Sequence, residues 1–581
     1  MSGRPRLTKS RRSFLKSLPT AFATGAVAKS GSSAPAPIDQ SVQAPDVVTS
    51  DALGVAQELV GLGLPPAERE SARPLVVRNR DNYELIRRVN IPSETEPAFS
   101  FRPPRPNGNG QPRSNGVRTT VTPAPPRAYP HPRPAKIDDV AFESVATLAS
   151  LIASRRISST ELTTMYLERL KRYDSTLHCV VTLTEELALA QAAEADAEIR
   201  AGKYRGPLHG IPYGVKDLFA AKGVVTTWGA KPYENQVFDY DSTVVARLRD
   251  AGAVLVAKLS TGELAVGDLW FRARTRNPWN TERGSSGSSA GPASATSAGL
   301  VGFAIGTETG GSIVSPASAC GVVGLRPTYG RVSRHGCMTL RWTLDKVGPL
   351  TRSAGDAGIV LEALHGPDGK DETVADVPFR VSRSRDLRGL RIGFVDSEIH
   401  GGENDERRAA VTRRPFYETA TEVFRKAGAT LVPVTYPEFP ASAIYAILNA
   451  EAGAMFDELV RTGAINDLAD KGPNGRANQL RASRFIPAVE YIRAQRVRTL
   501  LAQKMNALFE AVDVILAPSQ SDSVTMTNLT GHPAVVLPAG FVDDMPIALM
   551  LTGKLWDEAT ILRAAGAFES ATEWHKRHPA I

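Results

Sequence analysis

Residues Gly306 to Ser312 read GTETGGS and follow the apolar segment Leu300–Ile305, a pattern that predicts a buried strand running into a loop that glycine lets turn sharply. A loop of that kind aims successive backbone N–H groups at one point. Such donors are what the oxyanion of an acyl transfer needs, and losing one from an enzyme commonly costs about 10²–10³ in rate. Ser312 closes the loop, and a serine hydroxyl becomes a nucleophile at neutral pH only when a nearby base takes its proton. None of the nine histidines lies in the Gly/Ser/Thr-dense run between Pro278 and Arg331. A lysine does stand in an apolar stretch upstream: Lys216 follows Ile211, Pro212, Tyr213, Gly214 and Val215 and precedes Leu218 and Phe219. Desolvation in such a setting lowers a lysine pKa by up to about 3–5 units. The neutral amine can then accept a proton.

Each feature taken singly has a plainer explanation. A Gly/Ser-rich run is commonly a flexible linker, and a lysine in an apolar segment commonly buries its stem while its ammonium reaches water. This run is not of low complexity, however. Ala293, Ala295, Ala298, Leu300, Val301, Phe303, Ala304 and Ile305 give it the apolar content of a buried helix and strand.

The residues around both features resemble the amidase signature hydrolases. Members of that family carry a Gly/Ser run, then a GGS nucleophile, then PA and a G-x-x-G-x-[KR]-P-T ending. Here Ser288 and Ser312 are 24 residues apart, and Pro316-Ala317, Gly321, Gly324, Arg326, Pro327 and Thr328 follow. The likeness runs from about Asp138 to the C-terminus and takes in Asp513–Pro518 (DVILAP) and Asn528–Pro538 (NLTGHPAVVLP). Carried over, it implies Ser312 as nucleophile, Ser288 as a bridging serine on a cis peptide bond and Lys216 as general base. The same resemblance implies an oxyanion hole from the N–H groups of Thr309, Gly310, Gly311 and Ser312. The expected reaction is hydrolysis of a small-molecule amide through an acyl-enzyme, with no metal or other cofactor. Two alternatives stand beside it: the A subunit of a glutamine-dependent tRNA amidotransferase, which would need partner subunits and a cytoplasmic address, and a homologue that binds without turnover. Departures from the family pattern are Ser286 and Ala290 where glycine is common, Glu308 where aspartate or glutamine is common, and Val314 and Ser315 where an arginine is frequent.

Elements able to position these residues are legible around them. Ser158-Ser-Thr-Glu161 reads as a capping box for a helix with Leu162, Met165, Tyr166 and Leu170 on one face. Asp241–Asp250 predicts a helix and Val254–Leu259 a strand; Leu390–Val395, Tyr417–Lys426 and Leu431–Val434 repeat the alternation. This is an α/β chain of the open-sheet kind, and the resemblance implies a large twisted mixed sheet of about ten strands covered by helices on both faces. Between Ala443 and Val512 the pattern turns mainly helical, and in resembling folds that region walls the substrate pocket.

The first quarter of the chain reads differently. Ser10-Arg11-Arg12-Ser13-Phe14-Leu15-Lys16 resembles the twin-arginine export motif and precedes a short apolar segment, Ser17–Val27, with an A-x-A site at Ala26–Ala28. Residues 1–28 are therefore expected to be a signal peptide and the product exported to the periplasm or beyond. Residues 29–137 form an extension. Within it Asp51–Asn90 predicts one or two short helices, with Leu75, Val76, Tyr83, Leu85 and Ile86 free to dock, and 102–134 holds ten prolines. The catalytic domain is expected over 138–581. Residues 1–137 carry 20 Lys and Arg against 10 Asp and Glu, leaving 49 against 51 for 138–581. The basic balance thus belongs to the N-terminal part, and a nucleic-acid partner, which would want a basic face on the folded domain, is not expected. Stable membrane insertion is not expected either, since no segment reaches 18 apolar residues. The export machinery is an expected partner, and a homodimer remains open. Cys179, Cys320 and Cys337 are odd in number and widely spaced, which predicts free thiols.

Overall fold

The computed structural model describes residues 48–581 apart from 93, 94, 96, 100–130, 383, 397 and 399–407, with the backbone alone at 408–413. The export motif, the Ala26–Ala28 site, residues 29–47 and most of the Pro-rich stretch lie outside the described residues.

Among the described residues thirteen strands follow one another as β1 (Val180–Leu183), β2 (Pro212–Lys216), β3 (Val254–Leu259), β4 (Arg276–Asn277), β5 (Asn280–Gly284), β6 (Phe303–Glu308), β7 (Val323–Arg326), β8 (Lys346–Thr351), β9 (Arg391–Phe394), β10 (Thr430–Pro433), β11 (Val514–Pro518), β12 (Ala534–Val542) and β13 (Met545–Gly553). Eleven of them form one sheet in the order β1-β3-β2-β6-β8-β7-β12-β13-β11-β9-β10, and β4 pairs with β5 separately. β3, β2 and β6 run parallel, as do β11, β9 and β10, while the pairings between those groups are antiparallel. The sheet is therefore mixed, one strand wider than expected, and flanked by helices.

Side-chain alternation along the central strands supplies both faces with apolar groups. In β12, Val535 and Leu537 join the larger core, which the helices Ala354–Leu364 and Glu558–Thr572 cover. Ala534 and Val536 turn to the other face and meet Ala293, Val314 and Ala317 from the short helices Ala290–Ser297 and Val314–Cys320, with Ile313 just before the second. The Gly/Ser/Thr-dense run thus forms the packing layer of one face of the sheet. One expectation shifts: the strand read at Leu300–Ile305 is β6, Phe303–Glu308. Leu300 to Gly302 instead close the turn after the preceding helix, where Gly302 N–H donates to the Pro212 carbonyl at 2.9 Å. Gly306, Thr307 and Glu308 are consequently strand, and only Thr309 onward is loop.

The capping box forms as expected, with Glu161 N–H donating to Ser158 Oγ at 3.0 Å and Ser158 N–H to Glu161 Oε2 at 2.7 Å. Upstream, the helix Ser50–Leu59 packs on the helix Pro66–Arg87, which packs on the helical region from Ala441 onward; Leu75, Tyr83 and Ile86 are buried, while Leu85 faces solvent. Cys179 and Cys320 are buried and Cys337 is half-buried, all as free thiols. Among the described residues no helix is long and apolar enough to cross a membrane, and no cluster of three His, Cys, Asp or Glu could hold a metal ion.

Helix Ala354–Leu364 begins under a buried carboxyl: Glu569 accepts the Ala354 N–H at 2.8 Å. Burial, helped by nearby Asp356, pushes the Glu569 pKa from 4.5 up to about 8 against the opposing Ala354 hydrogen bond and Arg385 charge. Between those two values the folded chain holds a proton that the unfolded chain has lost, so stability falls as pH rises through that window. Glu569→Gln keeps the acceptor and removes the titration. It should melt roughly 2–4 °C above wild type at pH 8.5 and lose that advantage by pH 5, as thermal melts across pH would show.

Candidate active site

Lys216 is the last residue of β2, so its amine stands at the carboxyl end of the parallel strands, where open α/β sheets place their sites. The side chain is wholly buried. Its Nζ donates to Ser288 Oγ and to Thr307 Oγ1 on neighbouring β6, both at 2.8 Å. Burial pushes the Lys216 pKa down to about 7, and the charges of Cys337, Asp345 and Glu308 offset it only in part. Two hydroxyls and no carboxylate touch the amine, and a hydroxyl cannot compensate the charge that desolvation penalises.

Ser288 lies between β5 and the helix Ala290–Ser297 and follows a cis peptide bond from Gly287. The backbone here is crowded: a Cβ at Gly287 would lie 1.8 Å from the Gly267 carbonyl oxygen. Ser286, where the family commonly has glycine, takes a left-handed φ of 62°, and its N–H is held at 3.1 Å by Asp268 Oδ2. The next residue ties the two serine loops together, because Ser289 N–H donates to the Ser312 carbonyl at 3.0 Å. Lys216 and Ser288 are thus joined directly, and Ser312 is fastened beside them through the backbone.

The Ser312 loop is built on Glu308. This wholly buried carboxylate accepts the N–H groups of Ile313 and Val314 at 2.7 and 2.8 Å through Oε2, and the Arg326 guanidinium and Asn528 amide at 2.8 Å each through Oε1. Burial alone would raise its pKa, but the Arg326 charge and these hydrogen bonds hold it below the usual carboxylate range. Between the two ends Thr309 Oγ1 donates to Asp345 at 2.6 Å, and Gly311 takes a φ of 124° that suits glycine alone. Gly310 is required for space: a Cβ there would lie 2.4 Å from the Tyr445 hydroxyl. Among the described residues the amides of Gly310, Gly311 and Ser312 find no protein acceptor, and Ser312 itself is half-buried. Ser315, where arginine is frequent in the family, donates its N–H to the Gly311 carbonyl at 2.7 Å.

Several participants escaped the sequence reading. Thr307 was visible only as a letter inside GTETGGS. Arg326 and Asn528 stand in motifs that give them no role, because their partner Glu308 is 18 and 220 positions away. Lys258 ends in a buried ion pair with Asp217, the residue after Lys216, at 2.8 Å. His209, just ahead of the Lys216 segment, lies before the opposite end of β2, where burial pushes its pKa down to about 4.

A profile of the family described as Amidase matches residues 161–562. The A subunit of glutamyl-tRNA(Gln) amidotransferase from Roseiflexus castenholzii is 37% identical over 75% of this chain and 97% of its own length. The protein of the same name from Geobacillus stearothermophilus is 36% identical over 75% and 99%. Among solved structures, the native peptide amidase of Stenotrophomonas maltophilia superposes with a TM-score of 0.67 at 31% identity, covering 76% of this chain and 99% of that one. An amidase family protein of Bacillus anthracis gives 0.68 at 26%, covering 77% and 94%.

Two outcomes follow from this geometry. Glu308→Gln leaves Arg326 buried without its counter-charge and should destabilise the chain by about 3–5 kcal/mol, read as an earlier denaturant midpoint together with loss of whatever activity Ser312 supports. For Lys216 the folded pKa of about 7 lies below the ordinary 10.5, so between these values the unfolded state binds the extra proton and wild-type stability rises with pH. Lys216→Met should therefore melt no lower than wild type at pH 6, and its relative advantage should shrink toward pH 10.

Proposed function

Because this chain belongs to the amidase family, we propose that it hydrolyses the carbon–nitrogen bond of a small amide through an acyl-enzyme on Ser312. The observation that carries the reading is Lys216: a buried amine whose pKa is about 7, bonded at 2.8 Å to the serine beside the Ser312 loop. In its neutral form it takes the Ser288 proton while Ser288 takes that of Ser312, whose oxygen attacks the amide carbon. The oxyanion that forms is met by the free amides of the loop from Thr309 to Ser312. The proton returns through Ser288 to the leaving amine, and water releases the carboxylate by the same path. Lys216, Ser288 and Ser312 are the catalytic residues of this reading, with no metal or cofactor in any step.

A second reading rests on the likeness to the A subunits of amidotransferases along nearly their whole length. On that reading Ser312 would release ammonia from glutamine for use by partner subunits. The two separate by experiment. An autonomous hydrolase turns over simple amides as the isolated chain, whereas a component of a larger complex shows glutaminase activity that rises when its partners are supplied. Export through the twin-arginine route belongs to the first reading, and Arg11→Lys with Arg12→Lys should then hold the precursor in the cytoplasm.

The decisive test is chemical. A fluorophosphonate probe should label Ser312, and Ser312→Ala should abolish both labelling and hydrolysis; more than about 1% residual turnover would remove Ser312 as a covalent nucleophile. Ser288→Ala should cost nearly as much. In wild type, kcat/KM should rise with pH through about 7 as Lys216 loses its proton, and a flat profile from pH 5.5 to 8.5 would place the base elsewhere.

A further inference from the structure

An extension with two helices, Ser50–Leu59 and Pro66–Arg87, precedes the family-matched residues. Its helix Pro66–Arg87, 22 residues long, lies along the helical region, where one short helix touches the Ser312 loop and a second touches the segment that abuts the Ser288 loop. The first, Ala441–Ile447, carries Tyr445, whose hydroxyl stands where a Cβ of Gly310 would be, 2.4 Å away. The second, Arg476–Ser483, carries Arg476, which is 2% exposed, donates to the Leu264 carbonyl at 3.0 Å and lines a cavity of about 90 Å³ with Gly267 and Asp268. Gly267 is the residue whose carbonyl abuts Gly287. Tyr445 thus meets the Ser312 loop directly, and Arg476 is linked to the Ser288 loop through Gly267.

These two helices are only 7 and 8 residues long, and helices shorter than about 12–15 residues have little stability of their own. They must be held by what they pack against. Tyr83 and Ile86 of the extension sit in one apolar cluster with Ala441, Ile444 and Ile447. At the other end of the same helix, Glu68 accepts Arg481 Nε at 2.9 Å and Asn466 Nδ2 at 3.0 Å, and Arg481 is on the helix that carries Arg476. Arg341 clamps Tyr445 from inside, donating to its carbonyl at 2.8 Å with the guanidinium 4.0 Å above its ring.

We propose that the segment Ser50–Arg87 is an intramolecular brace that positions Tyr445 and Arg476 in the wall of the substrate pocket, and so sets how well the amide is held while leaving the serine and lysine chemistry untouched. Calling this wall a substrate pocket rests on the reading of Ser312 given above; the bracing itself does not. Glu68 and Ile86 are positioning residues that act through the two short helices.

The test uses the full chain carrying Glu68→Ala, with Glu68→Gln, which retains the acceptor, as the conservative control and Ile86→Ala as an independent loss of contact. Hydrogen exchange should quicken about tenfold in residues 441–447 with Ile86→Ala and in 476–483 with Glu68→Ala, while the strand Phe303–Glu308 keeps its protection. Across a panel of small amides KM should rise about threefold or more with kcat within about twofold, and fluorophosphonate labelling of Ser312 should keep its rate. Glu68→Gln should stay close to wild type in all three. Unchanged exchange in both short helices would overturn the brace, and faster exchange with an unchanged KM would overturn its positioning role. A wild type that neither labels nor hydrolyses amides removes the Ser312 reading instead, and the exchange arm still decides the brace.

Discussion

The buried carboxylate of Glu308 is the constraint on which the candidate site rests. It ends β6, takes up two amides at the start of the helix Val314–Cys320, and meets the guanidinium of Arg326 from β7. Those contacts fix both ends of a four-residue loop, and they do so away from water, where an unpaired charge would be costly. Arg326 is itself fully occupied, with Thr527 Oγ1 at 2.8 Å and the His532 carbonyl at 3.0 Å. The loop amides stay free for another partner because the side chain beneath them has already satisfied the helix that follows. The glutamate side chain, one methylene longer than that of aspartate, accepts four hydrogen bonds here.

The same end of the sheet holds three buried lysines, and their partners decide their chemistry. Lys258 meets a carboxylate, Asp217, at 2.8 Å and a hydroxyl, Thr226, at 2.6 Å. Lys346 reaches mainly backbone carbonyls, and burial, then the nearby Arg326 charge, drives its pKa far down. Lys216 has only hydroxyls, one of which belongs to Ser288. Burial lowers the Lys258 pKa too, but Asp217 opposes it in direct contact, whereas no carboxylate touches Lys216. Desolvation without a counter-ion is what makes a lysine a base near neutral pH, and of the three only Lys216 has a serine hydroxyl in reach.

Close packing of small residues brings the pieces together. A Cβ at Gly214 on β2 would come 2.3 Å from Leu259, and one at Gly291 would come 2.4 Å from the Ser260 amide. The helix that starts after Ser288 can therefore lie directly on β3, which sets Ser288 over the end of β2. Farther out, the helical region packs longer side chains around this layer, and Tyr445 meets it at Gly310.

Much of this was readable along the chain. Lys216 and Ser312 announce themselves because a lysine among apolar residues and a serine closing a glycine run are locally unusual, whereas Ser288 comes only from the resemblance to a family motif. The alternation of helices and strands was equally local, since it depends on side-chain period, and so was the capping box at Ser158. The end of β6 was misplaced because glycine reads as a loop signal, whereas Gly306 is a strand residue whose missing side chain makes room for Ser289 Oγ, 2.6 Å from where a Cβ would stand. Glu308, Arg326 and Asn528 could be spelled but not joined, because a buried ion pair is a relation between strands, and no pattern within either segment names its partner. Tyr445, Arg476 and the extension that holds them were further from reach still. Their helices are short and weakly patterned, and only the folded chain shows which loop they close on.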